Sequence, residues 1–172
     1  MDIVTALVDL AEMHPELEWE EIAAATVTVL EDRGLEAPFE FPLALTDLPR
    51  FGSAEVRLCL NREGIPAGRV ARLRRTYDLA RRIELAAIAI AGLGLYHGGR
   101  HEITDVAARG SGADYLVDDA THFLEVAGRS RRSDLEAAWQ QRQQRLADRA
   151  AGGFYLCVVE LETPSGRLAF FA

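Results

Sequence analysis

Gly112-Ala113-Asp114-Tyr115-Leu116 and then Leu124-Glu125-Val126-Ala127-Gly128-Arg129, on either side of an Asp118-Asp119 turn, carry the most informative pattern in the chain. Ala113 to Val117 and His122 to Ala127 are rich in strand-forming residues on either side of that turn, so they predict two strands of a hairpin. An acidic residue opens the first strand, and a second lies 11 residues later in its neighbour. Across a short turn two such carboxylates can project from one sheet face, close enough to share a divalent cation. Carboxylate oxygens suit Mg²⁺ or Mn²⁺, whose bound waters can be activated for attack on a phosphodiester. Strand alternation sets Arg129 on the same face as Glu125 and Ala127.

Upstream, Pro66 begins a long helical segment. Its first half is basic, and its second half, Ile83 to Leu95, is almost wholly apolar apart from Glu84. Gly92 and Gly94 are expected to end it, with His97-Gly98-Gly99 as a loop. An unpaired carboxylate on an apolar helix is costly, so Glu84 either serves a site or pairs with Arg81 or Arg82. Glu102 to Val106 reads as a further strand. Downstream, Ser133-Asp134-Leu135-Glu136 matches a capping box and starts a helix with Leu135, Trp139, Leu146 and Ala150 along its buried stripe. Phe154 to Leu161 is a nearly continuous apolar run, of the kind buried on both faces of a sheet. Thr163-Pro164-Ser165-Gly166 turns it back into Leu168 to Phe171. From Pro66 the order is therefore α-β-β-β-α-β-β.

The N-terminal part reads differently. Asp2 to Met13 suggests a short amphipathic helix. A second helix opens at Pro15, with Leu17, Trp19, Ile22, Ala23, Val27 and Leu30 at helical spacing and Gly34 at its end. Ala37 to Phe51, with three prolines and no sustained period, reads as a connector. Residues 1–50 are thus expected as an acidic helical arm and connector, and residues 51–172 as the α/β core. The arm holds too little apolar material for a core of its own. It is expected to pack on its own domain, on a protein partner, or on a second copy of the chain.

The net charge of −8 is unevenly spread: residues 1–50 hold 12 acidic residues against Arg33 and Arg50, while the remainder is slightly basic. Every basic residue is arginine. Arginine keeps its proton and cannot act as a general base. Cys59 and Cys157 sit in apolar segments and suggest no disulfide framework. The longest apolar run, Ile83 to Tyr96, is too short for a membrane span. No secretory pattern opens the chain, and a cytoplasmic location is expected. His97 and His101 lack further ligands at zinc spacing, and the glycine pairs match no phosphate-loop or dinucleotide fingerprint.

The element order, Asp114 at a strand start and Glu125-Val126-Ala127 in the next strand together resemble the PD-(D/E)XK superfamily of restriction-endonuclease-like nucleases. The resemblance covers about residues 66–172. It implies an α/β (α+β) fold with a central mixed sheet flanked by helices, here preceded by the N-terminal helical extension. It also implies metal-dependent hydrolysis of nucleic-acid phosphodiesters. In that chemistry Asp114 and Glu125 bind Mg²⁺ or Mn²⁺, Glu84 supports the metal, and Arg129 stabilises developing negative charge. Arg129, Arg131 and Arg132, crowding the entrance to the last helix, and Gln140 upon it are the expected nucleic-acid contacts. The sequence departs from the pattern in two places. Ala113 replaces proline, which matters little; Ala127 replaces the lysine that positions the attacking water, and no lysine elsewhere can take its role. A related subset carries Gln-x-x-x-Tyr on the following helix, and here Gln140, Gln141, Gln143 and Gln144 have no such tyrosine. Three readings stay open: a nuclease, a non-catalytic pseudo-nuclease acting as scaffold or partner-binding subunit, or an unrelated α/β interaction domain in which the acids are structural. Restriction, repair or anti-phage defence are contexts by analogy alone.

Overall fold

The computed structural model describes residues 1–107, 114–148 and 152–172; Gly112, Ala113 and Ala150, named above, lie outside the described residues. Five helices and eight strands follow in the order β1 (Asp2–Ala6), α1 (Leu10–Met13), α2 (Trp19–Asp32), β2 (Phe39–Leu48), β3 (Gly52–Asn61), α3 (Ala67–Thr76), α4 (Leu79–Gly99), β4 (Ile103–Val106), β5 (Tyr115–Val117), β6 (His122–Arg129), α5 (Leu135–Ala147), β7 (Phe154–Glu160) and β8 (Ser165–Phe171). All eight strands join one sheet in the order β1-β3-β2-β8-β7-β6-β5-β4. Parallel pairs (β1 with β3, β2 with β8, β6 with β7) alternate with antiparallel ones, so the sheet is mixed, as the α/β reading expects.

The N-terminal expectations need correction. Asp2–Ala6 is a strand, not a helix, because it pairs in parallel with Arg57–Asn61 of β3. Five residues are too few to separate a period of 2 from one of 3.6, and a distant partner decides between them. The supposed connector contains β2. Phe39, Phe41, Leu43 and Leu45 are buried, with the exposed Glu40 and Pro42 between them, and this is the alternation of a one-sided strand. Pro42 precedes Leu43, the first residue paired with β8, so the strand has a single neighbour there and tolerates a missing N–H. Residues 1–50 therefore contribute two strands to the common sheet.

Helix α2 forms where its spacing predicts, and it buries Ile22, Val27 and Leu30 in the chain's own core against α4. Its acidic side meets the basic side of α3 and early α4: Glu20 pairs with Arg69, Glu31 with Arg62 and Arg74, and Asp32 with Arg74 and Arg82. The charge asymmetry of the sequence is thus resolved within the fold. Most of these pairs are half-exposed and each contributes only about 0–1 kcal/mol.

The long segment from Pro66 is two helices. Tyr77 leaves helical geometry and Asp78 caps α4, its Oδ1 accepting the Arg81 N–H at 2.8 Å. Helix α4 then runs through Gly92, Gly94 and the expected loop to Gly99, with Arg100 left-handed at its end. The glycines sit inside the helix because neighbours press on it. A Cβ on Gly94 would lie 2.7 Å from the Leu168 side chain, and one on Gly92 would lie 2.9 Å from the His14 ring.

Strand β7 is buried along all seven residues. Tyr155, Cys157 and Val159 belong to the main core beneath α2 and α4, whereas Phe154, Leu156 and Val158 belong to a smaller cluster beneath α5. Helices α4 and α5 therefore cover opposite faces of the β6–β7 region, and this sandwich positions the candidate site.

Candidate functional site

Strand β6 presents alternate residues to the two helices. Gly128 faces α4 so closely that a Cβ there would stand 2.6 Å from Ile83 and 2.8 Å from its carbonyl oxygen. Ala127 packs with Ala138 and Leu146 of α5, and Glu125 points the same way. Where β5 and β6 meet the start of α4, a cavity of about 800 Å³ opens. Glu84 from α4, Asp114 before β5, and Ala127 and Arg129 from β6 all line it, together with Arg81 and with Arg142 from α5. Three of the four residues singled out as catalytic candidates thus share one cleft.

The fourth, Glu125, lies beside the cleft and out of solvent, only 1% exposed. Its Oε1 accepts from both Arg142 and Arg145, while its Oε2 is buried with no partner among the described residues. Burial pushes the Glu125 carboxyl above its ordinary value, the nearby charge of Asp114 adds to this, and the two guanidiniums oppose it. Asp114 is tied to the adjacent strand: its Oδ2 accepts the Val126 N–H at 2.9 Å, and its own N–H donates to the Leu124 carbonyl at 3.0 Å. Glu84 is exposed and pairs with Arg81 at 3.1 Å, so pairing and a place on the cleft coexist.

Arg129 donates to the Gly128 carbonyl at 2.8 Å and forms no ion pair among the described residues. Partial burial lowers its pKa, and the neighbouring Arg142 charge lowers it further. Arg142 carries a buried Nε with no acceptor among the described residues. The cleft therefore holds one guanidinium, that of Arg129, which no carboxylate neutralises among the described residues, an arrangement suited to an anion.

The other expected nucleic-acid contacts lie elsewhere. Arg131 and Arg132 are exposed, and the Arg132 N–H donates to Glu162 at 2.9 Å. Gln140 donates to Glu136 at 3.0 Å on the surface of α5. The capping box is absent: a 3-10 turn over Arg132–Asp134 leads into α5, Ser133 makes no cap bond, and Glu136 is drawn to Arg167 at 2.8 Å.

Arg142 and Arg145 are the residues that the sequence reading missed. Their spacing of three on α5 puts them on one helix face, but nothing local shows that this face meets a buried glutamate. They bear directly on the metal. As arranged, the acids do not fit a Mg²⁺ or Mn²⁺ centre, because the positive charge that such an ion would bring to Glu125 is already supplied by two arginines. Among the described residues, no three His, Cys, Asp or Glu side chains are grouped to hold a metal ion.

The fold and cleft define an α/β protein with a mixed eight-stranded sheet and a charged pocket between its two helical layers. No protein-family model, no curated protein and no solved structure matches the chain. No described helix is long and apolar enough to cross a membrane.

Proposed function

We propose that the chain is a nuclease-like protein of PD-(D/E)XK type whose cleft receives a nucleic-acid phosphodiester without hydrolysing it. The observation that carries this reading is the placement of Arg129 on the cavity with no carboxylate paired to its guanidinium among the described residues. The succession α4-β4-β5-β6-α5-β7, with β6 and β7 parallel and the two helices on opposite faces, supports the nuclease-like ancestry. Two features count against turnover: Glu125 is neutralised by Arg142 and Arg145, and Ala127 offers no ammonium to position water. A second reading, retained hydrolysis, would require Glu125 to be released from Arg142 and Arg145 so that it could act with Asp114. Free Cys59 and Cys157 agree with a reducing, cytoplasmic setting.

The test combines fluorescence anisotropy on labelled DNA and RNA strands with plasmid nicking in Mn²⁺. The native protein should bind, lose about tenfold affinity on Arg129→Ala, weaken steeply with salt, and leave the plasmid intact. Cleavage that disappears in Glu125→Ala would establish the hydrolytic reading instead. A folded protein that binds no strand at low salt would refute both.

A further inference from the structure

The same cleft has a side that phosphate binding leaves unused. Among the described residues four large apolar side chains are exposed, and two of them, Leu79 (41%) and Val106 (67%), stand on this cavity. Tyr115, half-buried, lies on it with them. Apolar surface gathered beside the unpaired Arg129 guanidinium marks a ligand with one apolar and one anionic part. The carboxylates sharpen the choice. Glu84 and Asp114 would repel a bare run of phosphates, but they can accept hydrogen bonds from the ring and amino N–H groups of a base. In a duplex those groups are already paired and the base faces are stacked. In an unpaired nucleotide both are free. A volume of about 800 Å³ is ample for a nucleotide.

We infer that the cleft takes a nucleoside phosphate with an unpaired base, the base against Leu79, Tyr115 and Val106 and the phosphate against Arg129. This rests on the reading of the cleft as a nucleic-acid phosphate site and adds to it the state of the base. The ligand is either a segment of single strand or a free nucleotide.

Anisotropy on the full chain separates these outcomes, using a labelled single strand, its duplex, and a strand of the same length with abasic sugars at every internal position. Val106→Ser provides the variant, since Val106 is exposed and its loss leaves the core intact. The single strand should bind about tenfold or more tighter than either the duplex or the abasic strand, and Val106→Ser should reduce only the single-strand affinity. A nucleoside monophosphate that displaces the probe at micromolar concentration would identify a free nucleotide as the ligand. Displacement by strands alone would identify single-stranded nucleic acid. Equal binding of all three probes, unchanged in Val106→Ser, would overturn the base site while leaving phosphate binding in place. Failure of every probe to bind would remove the underlying reading and this inference with it.

Discussion

Glu125 is a carboxylate that the fold has taken out of water and compensated twice. Removing one compensating charge leaves the other to hold it, and the two arginines differ in how firmly they can do so: the Arg142 side chain is 22% exposed and that of Arg145 is 41%. Arg142→Ala should therefore cost about 3 kcal/mol in urea unfolding at neutral pH, and Arg145→Ala clearly less. The cost has a definite pH dependence. The folded-state pKa of Glu125 is raised, so its favourable contribution is complete below the ordinary value of 4.5 and is lost as pH rises through the raised value. Removing Arg142 raises it further, so the Arg142→Ala penalty should shrink as unfolding is measured at lower pH. A penalty independent of pH would show that Arg142 acts through packing rather than charge. With both arginines replaced by glutamine, calorimetry should detect Mn²⁺ binding that the native protein lacks and that Asp114→Asn abolishes.

Single side chains also shape whole elements. Glu160, buried at the end of β7, takes four hydrogen bonds from the turn into β8: the N–H groups of Glu162 and Thr163 and the hydroxyls of Thr163 and Ser165. The β7–β8 hairpin is closed around this carboxylate rather than by its loop sequence alone. Glu160→Ala strips all four donors of their acceptor and should cost about 3 kcal/mol or more by chemical denaturation, whereas Glu160→Gln should retain part of the difference. The turn between β5 and β6 is stapled in the same manner. Asp118 accepts the Glu102 N–H at 2.9 Å and holds the His101 ring at 2.5 Å, while the other ring nitrogen of His101 meets the Tyr155 hydroxyl at 2.8 Å. Asp118, Asp119 and Ala120 all adopt positive φ in this turn, a conformation that needs such anchoring. At the start of α4, Asp78→Ala should destabilise by about 1 kcal/mol, the usual worth of an N-cap.

Across the whole molecule, the N-terminal 36 residues are structural. They supply the edge strand β1 and helix α2, whose buried face closes the core over α4. A chain lacking residues 1–36 should lose cooperative unfolding and associate through its bared core; a well-behaved monomer of unchanged stability by sedimentation and calorimetry would contradict this. His14 ties the two ends of the same core together, its Nδ1 accepting the Ile103 N–H at 3.0 Å across the chain. Burial lowers its pKa below the ordinary 6.5. A lowered histidine contributes stability that is complete above the unfolded-state value and is lost as pH falls through the folded one. Stability should thus decline below about pH 6.5. His97, also lowered by burial, shares in that slope, so His14→Gln should flatten only part of it.

Elements whose signal is local can be read from the residues alone. The 3.6-residue period of α2, the unbroken apolar run of β7 and the turn-bounded strands β5 and β6 were legible because each depends on its own neighbours. Asp114, Glu84 and Arg129 are nominated together by the family resemblance, and all three line one cleft. Only the tertiary structure decided the rest. Asp2–Ala6 became a strand through pairing with Arg57–Asn61, and Phe39–Leu48 became a central strand by lying between β3 and β8. The glycines of α4 became contact points rather than stops because the His14, Leu43 and Leu168 side chains press against the helix. Glu125 was legible as a candidate, but the ion pairs that change its chemistry come from an α5 face whose partner no local pattern names. Propensity and periodicity act over a turn or a strand, whereas strand pairing, close packing and charge burial depend on residues brought together from far along the chain.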